Sequence, residues 1–360
     1  MKNNFIVVNF FRVTEPYSGG SEVSFNFFKN IPSNKKRLFQ LSNLKKKYKN
    51  VESIYAGNSK ISKIINIFKL TNEIKNYCRN KKNLIIIVEG ASWAGYTYLF
   101  HRLVKKDLKN AKFIYHSQNI EFLLRKIKNN FFISQITKIF EQYIANNFNI
   151  FTCTSNHEKQ KIRELYNINS LVLPNGIELP KNFNKIKPIK KKYNYVFFGG
   201  NIDFSPNFDA LKILVEDIMP KVNLKNSTIK LIVTGNKSLP FNSKNIVNAG
   251  FVSKKVFCRY VLGASLFVNP MQITFGVQTK TLHALALGKT IIATNQGIAG
   301  IKLNPRIKNI FITKNNDDFS KKILNKIKSR KFNKKASNYY SKIYNMKKIV
   351  NDFIKKQKLV

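Results

Sequence analysis

TFGVQTKTLHALALGKTIIATNQGIAGI, residues 274–301, carries the pattern of a single α/β unit from end to end. Phe275-Gly276-Val277-Gln278-Thr279 carries no strong core pattern and holds a glycine. From Lys280 to Leu287, the apolar Leu282, Leu285 and Ala286 fall on one helical stripe. Gly288 is placed to stop that helix. Thr290 to Thr294 (TIIAT) is β-branched and apolar, the pattern of a buried parallel strand, and a second glycine-bearing loop follows. The unit is therefore loop, helix and strand from an α/β sheet. A glycine loop that feeds a helix amino terminus beside the carboxyl end of a strand suits a phosphate, because free N–H groups and the helix dipole both favour an anion there. Lys280 falls in the first turn, and Thr279, Lys280 and His283 share one face beside the leucine stripe. Spacing alone leaves a second reading open, an ordinary core βα unit with these polar residues turned to solvent.

Composition bounds the rest. A chain of 360 residues suggests two domains, each able to bury its own core. Its longest apolar runs, such as Leu84 to Val88 and Tyr195 to Phe198, are far too short to span a bilayer. The opening MKNNFIVVNFF lacks a small-residue cleavage site and reads as a first buried strand rather than a signal peptide. Cys78, Cys153 and Cys258 stand far apart and form no CxxC pair, which fits reduced thiols in a cytoplasmic protein and gives no metal site. The formal charge is +46. The lysines are scattered and do not interleave with aromatics on one helix, so no nucleic-acid partner is expected. Two other consequences fit better: peripheral attraction to an anionic membrane, which needs only clustered lysines, and attraction of an anionic substrate.

Along the chain, strands and helices alternate. Ile6–Phe11 reads as a strand, Thr14–Ser21 as a turn-rich loop carrying Gly19-Gly20, and Glu22–Ile31 as a helix. Strand, glycine loop and helix open a doubly wound domain, although no GxGxxG fingerprint is present. Asn83–Val88 and Ala111–Tyr115 read as buried strands. His116 stands at the carboxyl end of the second, where open α/β sheets bind ligands; a structural histidine is the competing reading. A long helical stretch follows over Glu121–Asn147, with a break expected near Asn129-Asn130. Residues 179–193, rich in asparagine, proline and lysine, read as a linker between a domain over 1–178 and a second βαβ series over 194–338. Residues 339–360 read as a basic amphipathic helix. Two such domains would leave a cleft between them.

These residues now resemble a family. GVQTKTLHALALGKTIIAT is similar to the nucleotide-sugar-binding segment of group 1 retaining glycosyltransferases (family 4-like) of the GT-B fold, in one branch GV-x-x-K-x-LEALA-x-GKP-V-V-A-T. Phe197-Phe198-Gly199-Gly200-Asn201, Ser205-Pro206-Asn207, Ala249-Gly250-Phe251-Val252 and Phe267-Val268-Asn269-Pro270 extend the likeness. Pro16-Tyr17-Ser18-Gly19-Gly20, His116-Ser117-Gln118-Asn119-Ile120-Glu121 and Leu173-Pro174-Asn175-Gly176-Ile177 carry it into the first half.

The resemblance implies two Rossmann-like doubly wound domains facing a central cleft. It implies a donor nucleotide-diphosphate sugar on the second domain, bound by Gly276, Val277, Gln278, Thr279, Lys280, His283, Gly200 and Asn201, with Lys280 neutralising the leaving diphosphate. The acceptor, a cell-surface polysaccharide or lipid-linked glycan, would meet the first domain at the inner face of the cell membrane. His116 would face the donor sugar as the catalytic residue, and Gly19 and Gly20 would form an acceptor or phosphate loop. Such enzymes work without a cofactor or bound metal, and the C-terminal helix crosses back to the first domain. Two departures stand out. The paired glutamates eight positions apart in many relatives are absent at Phe275, as in the branch this chain resembles, and at His283, where that branch keeps the acid; an arginine and lysine pair is replaced by Asn201 and Asp203. A carboxylate accepts two hydrogen bonds from ribose hydroxyls, a neutral histidine one. A non-catalytic sugar-nucleotide binder with a degenerate donor site is therefore one alternative. A nucleotide-sugar epimerase is another, although it would need more acid and base groups than His116 has beside it in the sequence.

Overall fold

The computed structural model describes residues 3–57, 59–127, 131–235, 237–274, 276–328 and 332–359. The expected break at Asn129-Asn130 and the residue Phe275 lie outside them. The chain divides into two compact units, Met1–Gly176 with Met346–Val360, and Ile177–Asn345.

In the first unit, β1 (Asn4–Asn9), α1 (Gly19–Asn30), β2 (Lys36–Ser42), β3 (Val51–Tyr55), α2 (Lys60–Cys78), β4 (Leu84–Glu89), α3 (Ala94–Val104) and β5 (Lys112–His116) come first. They are followed by α4 (Glu121–Ile127), α5 (Phe131–Asn147), β6 (Ile150–Cys153), α6 (Asn156–Tyr166) and β7 (Leu171–Val172). The seven strands are all parallel in the order β3-β2-β1-β4-β5-β6-β7. The run LIIIVE places β4 at the centre with every residue buried, as a strand covered on both faces requires. Ile67, Phe100 and Ile144, from α2, α3 and α5, pack with Ile86, Val88 and Tyr115. Val23 and Phe27 of α1 pack with Phe5, Val7, Ile85 and Ile87.

The second unit repeats the plan. It runs β8 (Tyr195–Gly199), α7 (Ser205–Ile213), a π turn over Leu214–Ile218, α8 (Met219–Lys225), β9 (Lys230–Thr234), β10 (Ile246–Asn248) and α9 (Lys254–Gly263). Then come β11 (Leu266–Asn269), α10 (Thr279–Ala286), β12 (Ile291–Ala293), β13 (Ile310–Ile312), α11 (Asn316–Lys326) and α12 (Lys334–Ile343). Its parallel order is β10-β9-β8-β11-β12-β13. Both sheets reverse winding direction beside their first strand, and a ligand crevice opens at the carboxyl end of such a switch point.

The structure differs from the sequence reading in four places. Gly19 and Gly20 are not a loop but the first turn of α1, because Ser18 caps the helix and exchanges hydrogen bonds with Ser21. The edge strand β3 lacked a signal, since none of its residues is buried. Residues 179–193 are not a bare tether: Leu179, Phe183 and Ile186 pack on the core of the second unit. The single helix expected over 339–360 is two, α12 in the second unit and α13 (Met346–Lys356) in the first, with Val350, Phe353 and Ile354 in the first unit's core.

Candidate functional site

In the second unit the expected donor residues gather at the carboxyl edge of β8 and β11, the switch point. Gly276 takes φ +65°, a conformation open to glycine and strained for other residues. Val277 turns inward and is buried, so its side chain serves the core. Gln278 stands at the amino cap of α10 without a side-chain capping bond, its Nε2 donating instead to Thr274 Oγ1 at 2.6 Å. The first-turn amides are thus left without a side-chain cap at the positive end of the helix dipole. Thr279 opens the helix, and Leu282, Leu285 and Ala286 anchor it in the core.

Lys280 reaches back across the switch point. Its Nζ donates to Asn207 Oδ1 at 2.8 Å, and Asn207 Nδ2 in turn donates to Asn201 O at 2.9 Å. A Cβ on Gly200 would fall 3.0 Å from the Asn207 side chain, so the glycine lets that side chain lie close over the loop. Gly200, Asn201, Asn207 and Lys280 therefore form one connected patch. The rest of the ammonium's surroundings are apolar, with the Phe198 ring centroid at 4.3 Å and Met271 Sδ at 3.8 Å. No carboxylate pairs with it among the described residues. Burial pushes its pKa down from 10.5 to about 7.

His283 is buried on the same helix. Its Nδ1–H donates to Thr279 O at 2.8 Å, which fixes the tautomer and leaves Nε2 as the acceptor. That acceptor is taken by Lys254 Nζ, from the first turn of α9. The single ring acceptor that the sequence offered to a ribose hydroxyl is thus engaged by an ammonium.

In the first unit His116 is buried at the end of β5, and its Nδ1–H donates to Glu89 Oε1 at 3.0 Å. Glu89, fully buried at the end of β4, also accepts from Ser24 Oγ at 2.8 Å and Gln118 Nε2 at 3.0 Å. His116 Nε2 is buried with no hydrogen-bond partner among the described residues, and Phe27 packs on the ring at 4.7 Å. A Cβ on Gly20 would fall 3.3 Å from Ala91 Cβ and from Gln118 Oε1, so the first turn of α1 lies tight against this cluster. At the same edge a cavity of about 40 Å³ is lined by Arg12, Asn43 and Lys63, with no carboxylate. The sequence reading missed Glu89 and Lys254. Glu89 carried a signal, an acid ending an apolar strand. Lys254 carried none among 64 lysines and arginines. Among the described residues no three His, Cys, Asp or Glu side chains gather as a metal site would require, and no helix is long and apolar enough to cross a membrane.

Two parallel sheets wound in the same order, each with a polar cluster at its carboxyl edge, define the GT-B class, and solved structures agree. Sucrose-phosphate synthase from Thermosynechococcus elongatus is similar over 99% of this chain and 98% of its own, with TM-score 0.73 at 11% identity. HepE from Anabaena, solved with UDP and glucose, is similar over 99% and 100%, with TM-score 0.68 at 11% identity. A glycosyltransferase from Rickettsia africae ESF-5 is similar over 99% and 98%, with TM-score 0.66 at 16% identity. No curated protein sequence matches the chain. Residues 193–329 match the family model described as glycosyl transferases group 1, so the second unit carries a group 1 glycosyltransferase domain.

Proposed function

We propose that the protein transfers a sugar from a nucleotide-diphosphate donor to a cell-surface polysaccharide or lipid-linked acceptor, with retention of configuration and without a metal, at the inner face of the cell membrane. The observation that carries this reading is Lys280, which has no carboxylate partner among the described residues and an apolar setting beside the amino terminus of α10, which lacks a side-chain cap. Lys280 is half-buried, and a cation held among apolar groups with a single amide partner is poorly solvated; an arriving diphosphate relieves that. In the reaction the bond between the sugar's anomeric carbon and the β-phosphate oxygen breaks, the acceptor hydroxyl oxygen bonds to that carbon on the face the diphosphate leaves, and the hydroxyl proton passes to the departing phosphate oxygen. The departing diphosphate's charge is met by the α10 amides and Lys280, already in place. His116 is assigned the catalytic position, with Glu89 holding its ring and Nε2 left to a hydroxyl of the sugar. Gly20 lets α1 lie close to that cluster, and the Gly19-Gly20 turn is assigned to the acceptor or donor phosphate. HepE, solved with UDP and glucose, makes uridine donors the first to test.

Calorimetric titration against uridine and guanosine diphosphate sugars tests the reading. At least one should bind, Lys280→Ala should weaken it about tenfold or more through the diphosphate, and binding by none overturns the proposal. The Lys254–His283 bond supports one other reading, a sugar-nucleotide binder without turnover. If neither the parent nor His283→Glu releases free nucleotide from any bound donor when acceptor glycans are supplied, that reading gains.

A further inference from the structure

Two helices of the first unit have an apolar stripe on each side. On α2 the inward stripe is Ile67, Leu70 and Ile74, all buried. The outward one is Ile61, Ile65 and Phe68, which are 72%, 57% and 49% exposed at spacings of four and three. On α5 the inward stripe includes Ile144 and Ala145, while Phe132, Ile136 and Ile139 face out at 79%, 45% and 65% exposure. Core packing accounts for one stripe per helix and leaves the outer one unexplained.

The outer stripes share a location. Both helices descend between parallel strands, so their amino-terminal halves, where these residues lie, sit at the carboxyl edge of the sheet. Helix α3 packs between them. That is also the edge where His116 and Glu89 end their strands. The surrounding charge is mostly positive, with Glu73 the exposed acid next along α2. Residues 59–72 and 122–140 include Lys60, Lys63, Lys69, Arg125, Lys126 and Lys138, and no Asp or Glu.

We propose that the outward faces of α2 and α5 together seat the first unit on an anionic bilayer, their isoleucines and phenylalanines entering the interface and the flanking lysines meeting lipid phosphates. This deepens the proposed function, on which its biological sense rests, by stating which surface meets the membrane. A second copy of the chain is the poorer occupant, because each copy carries +46. Apolar insertion with cationic flanks is how an amphipathic helix lies on a membrane, and the apolar share of the binding survives salt that screens the lysines.

The full-length protein is floated with vesicles of phosphatidylcholine containing about 30% phosphatidylglycerol, in low and about 0.5 M salt. Three proteins are compared: the parent, Ile61→Ser/Ile65→Ser/Phe132→Ser/Ile136→Ser, and a control with Lys190, Lys191 and Lys192 changed to glutamine. The substituted apolar residues are all exposed, so circular dichroism and the thermal midpoint should match the parent. The parent should bind anionic vesicles and keep part of that binding in high salt. The serine variant should lose about tenfold or more, while the lysine control stays near the parent. The single tryptophan, Trp93 at the start of α3, gives a second readout. Brominated phosphatidylglycerol should quench its emission in the parent and not in the serine variant. Equal binding by parent and serine variant overturns the proposal. So does a parent that self-associates through these residues and ignores vesicles. Neither readout uses a sugar nucleotide, so loss of the transferase reading would leave this result standing, and the reverse also holds.

Discussion

Lys280 is where stability and function pull apart. With its pKa near 7 in the folded chain and near 10.5 when unfolded, it binds fewer protons folded than unfolded between those values. Its contribution to stability is therefore most unfavourable below about pH 7 and recovers as pH rises toward 10.5. Lys280→Met should equal or exceed the parent in urea stability near pH 7, with the gap narrowing by about pH 9. Ligand binding has the opposite pH slope. A bound diphosphate favours the ammonium, so binding takes up a proton and donor affinity falls as pH rises above about 7. In the proposed transferase Glu89 would act through His116, which it holds by a hydrogen bond, rather than on the substrate. Glu89→Gln should lower kcat about 100-fold with the donor KM within about twofold, because a misplaced group costs turnover more than binding. A parallel fall in donor affinity and thermal midpoint would make Glu89 structural only.

At the scale of elements, α10 was legible because its leucine stripe, glycine stop and flanking TIIAT strand all point the same way, and residues 279–286 form the helix. The buried strands β4 and β8 were legible for the same reason. The His283–Lys254 bond was not, since it joins residues 29 apart through packing of α10 on α9 and no local spacing reports it. Nor was the start of α1, where Ser18 and Ser21 cap a helix that begins with two poor helix formers. The break at Asn345 was hidden by apolar periodicity continuing on both sides of it, and it sends α13 into a different core from α12. Because Ile354 is fully buried there, Ile354→Ala should destabilise the protein by about 2–5 kcal/mol in urea unfolding. A change under about 0.5 kcal/mol would mean α13 is not packed as described.

Across the whole molecule, the +46 charge is the feature that composition alone could not interpret. The structure separates its parts. One lysine is desolvated at a helix amino terminus, another is bonded to a buried histidine, and others flank outward apolar stripes. Each implies a different dependence on salt. Binding at Lys280 in its apolar surroundings should weaken little between low and physiological salt, while binding of the first unit to anionic vesicles should weaken strongly. The claim on which the account depends most is that a nucleotide sugar binds at the start of α10 against Lys280. Titration calorimetry of the parent and Lys280→Met with a uridine diphosphate sugar, at about pH 6.5 and about pH 8.5 in two buffers of different ionisation heat, tests it most directly. Binding should be tighter at the lower pH and take up protons at the higher pH, and both effects should be lost in the variant. Binding in the variant as tight as in the parent, with the same pH dependence, would contradict it.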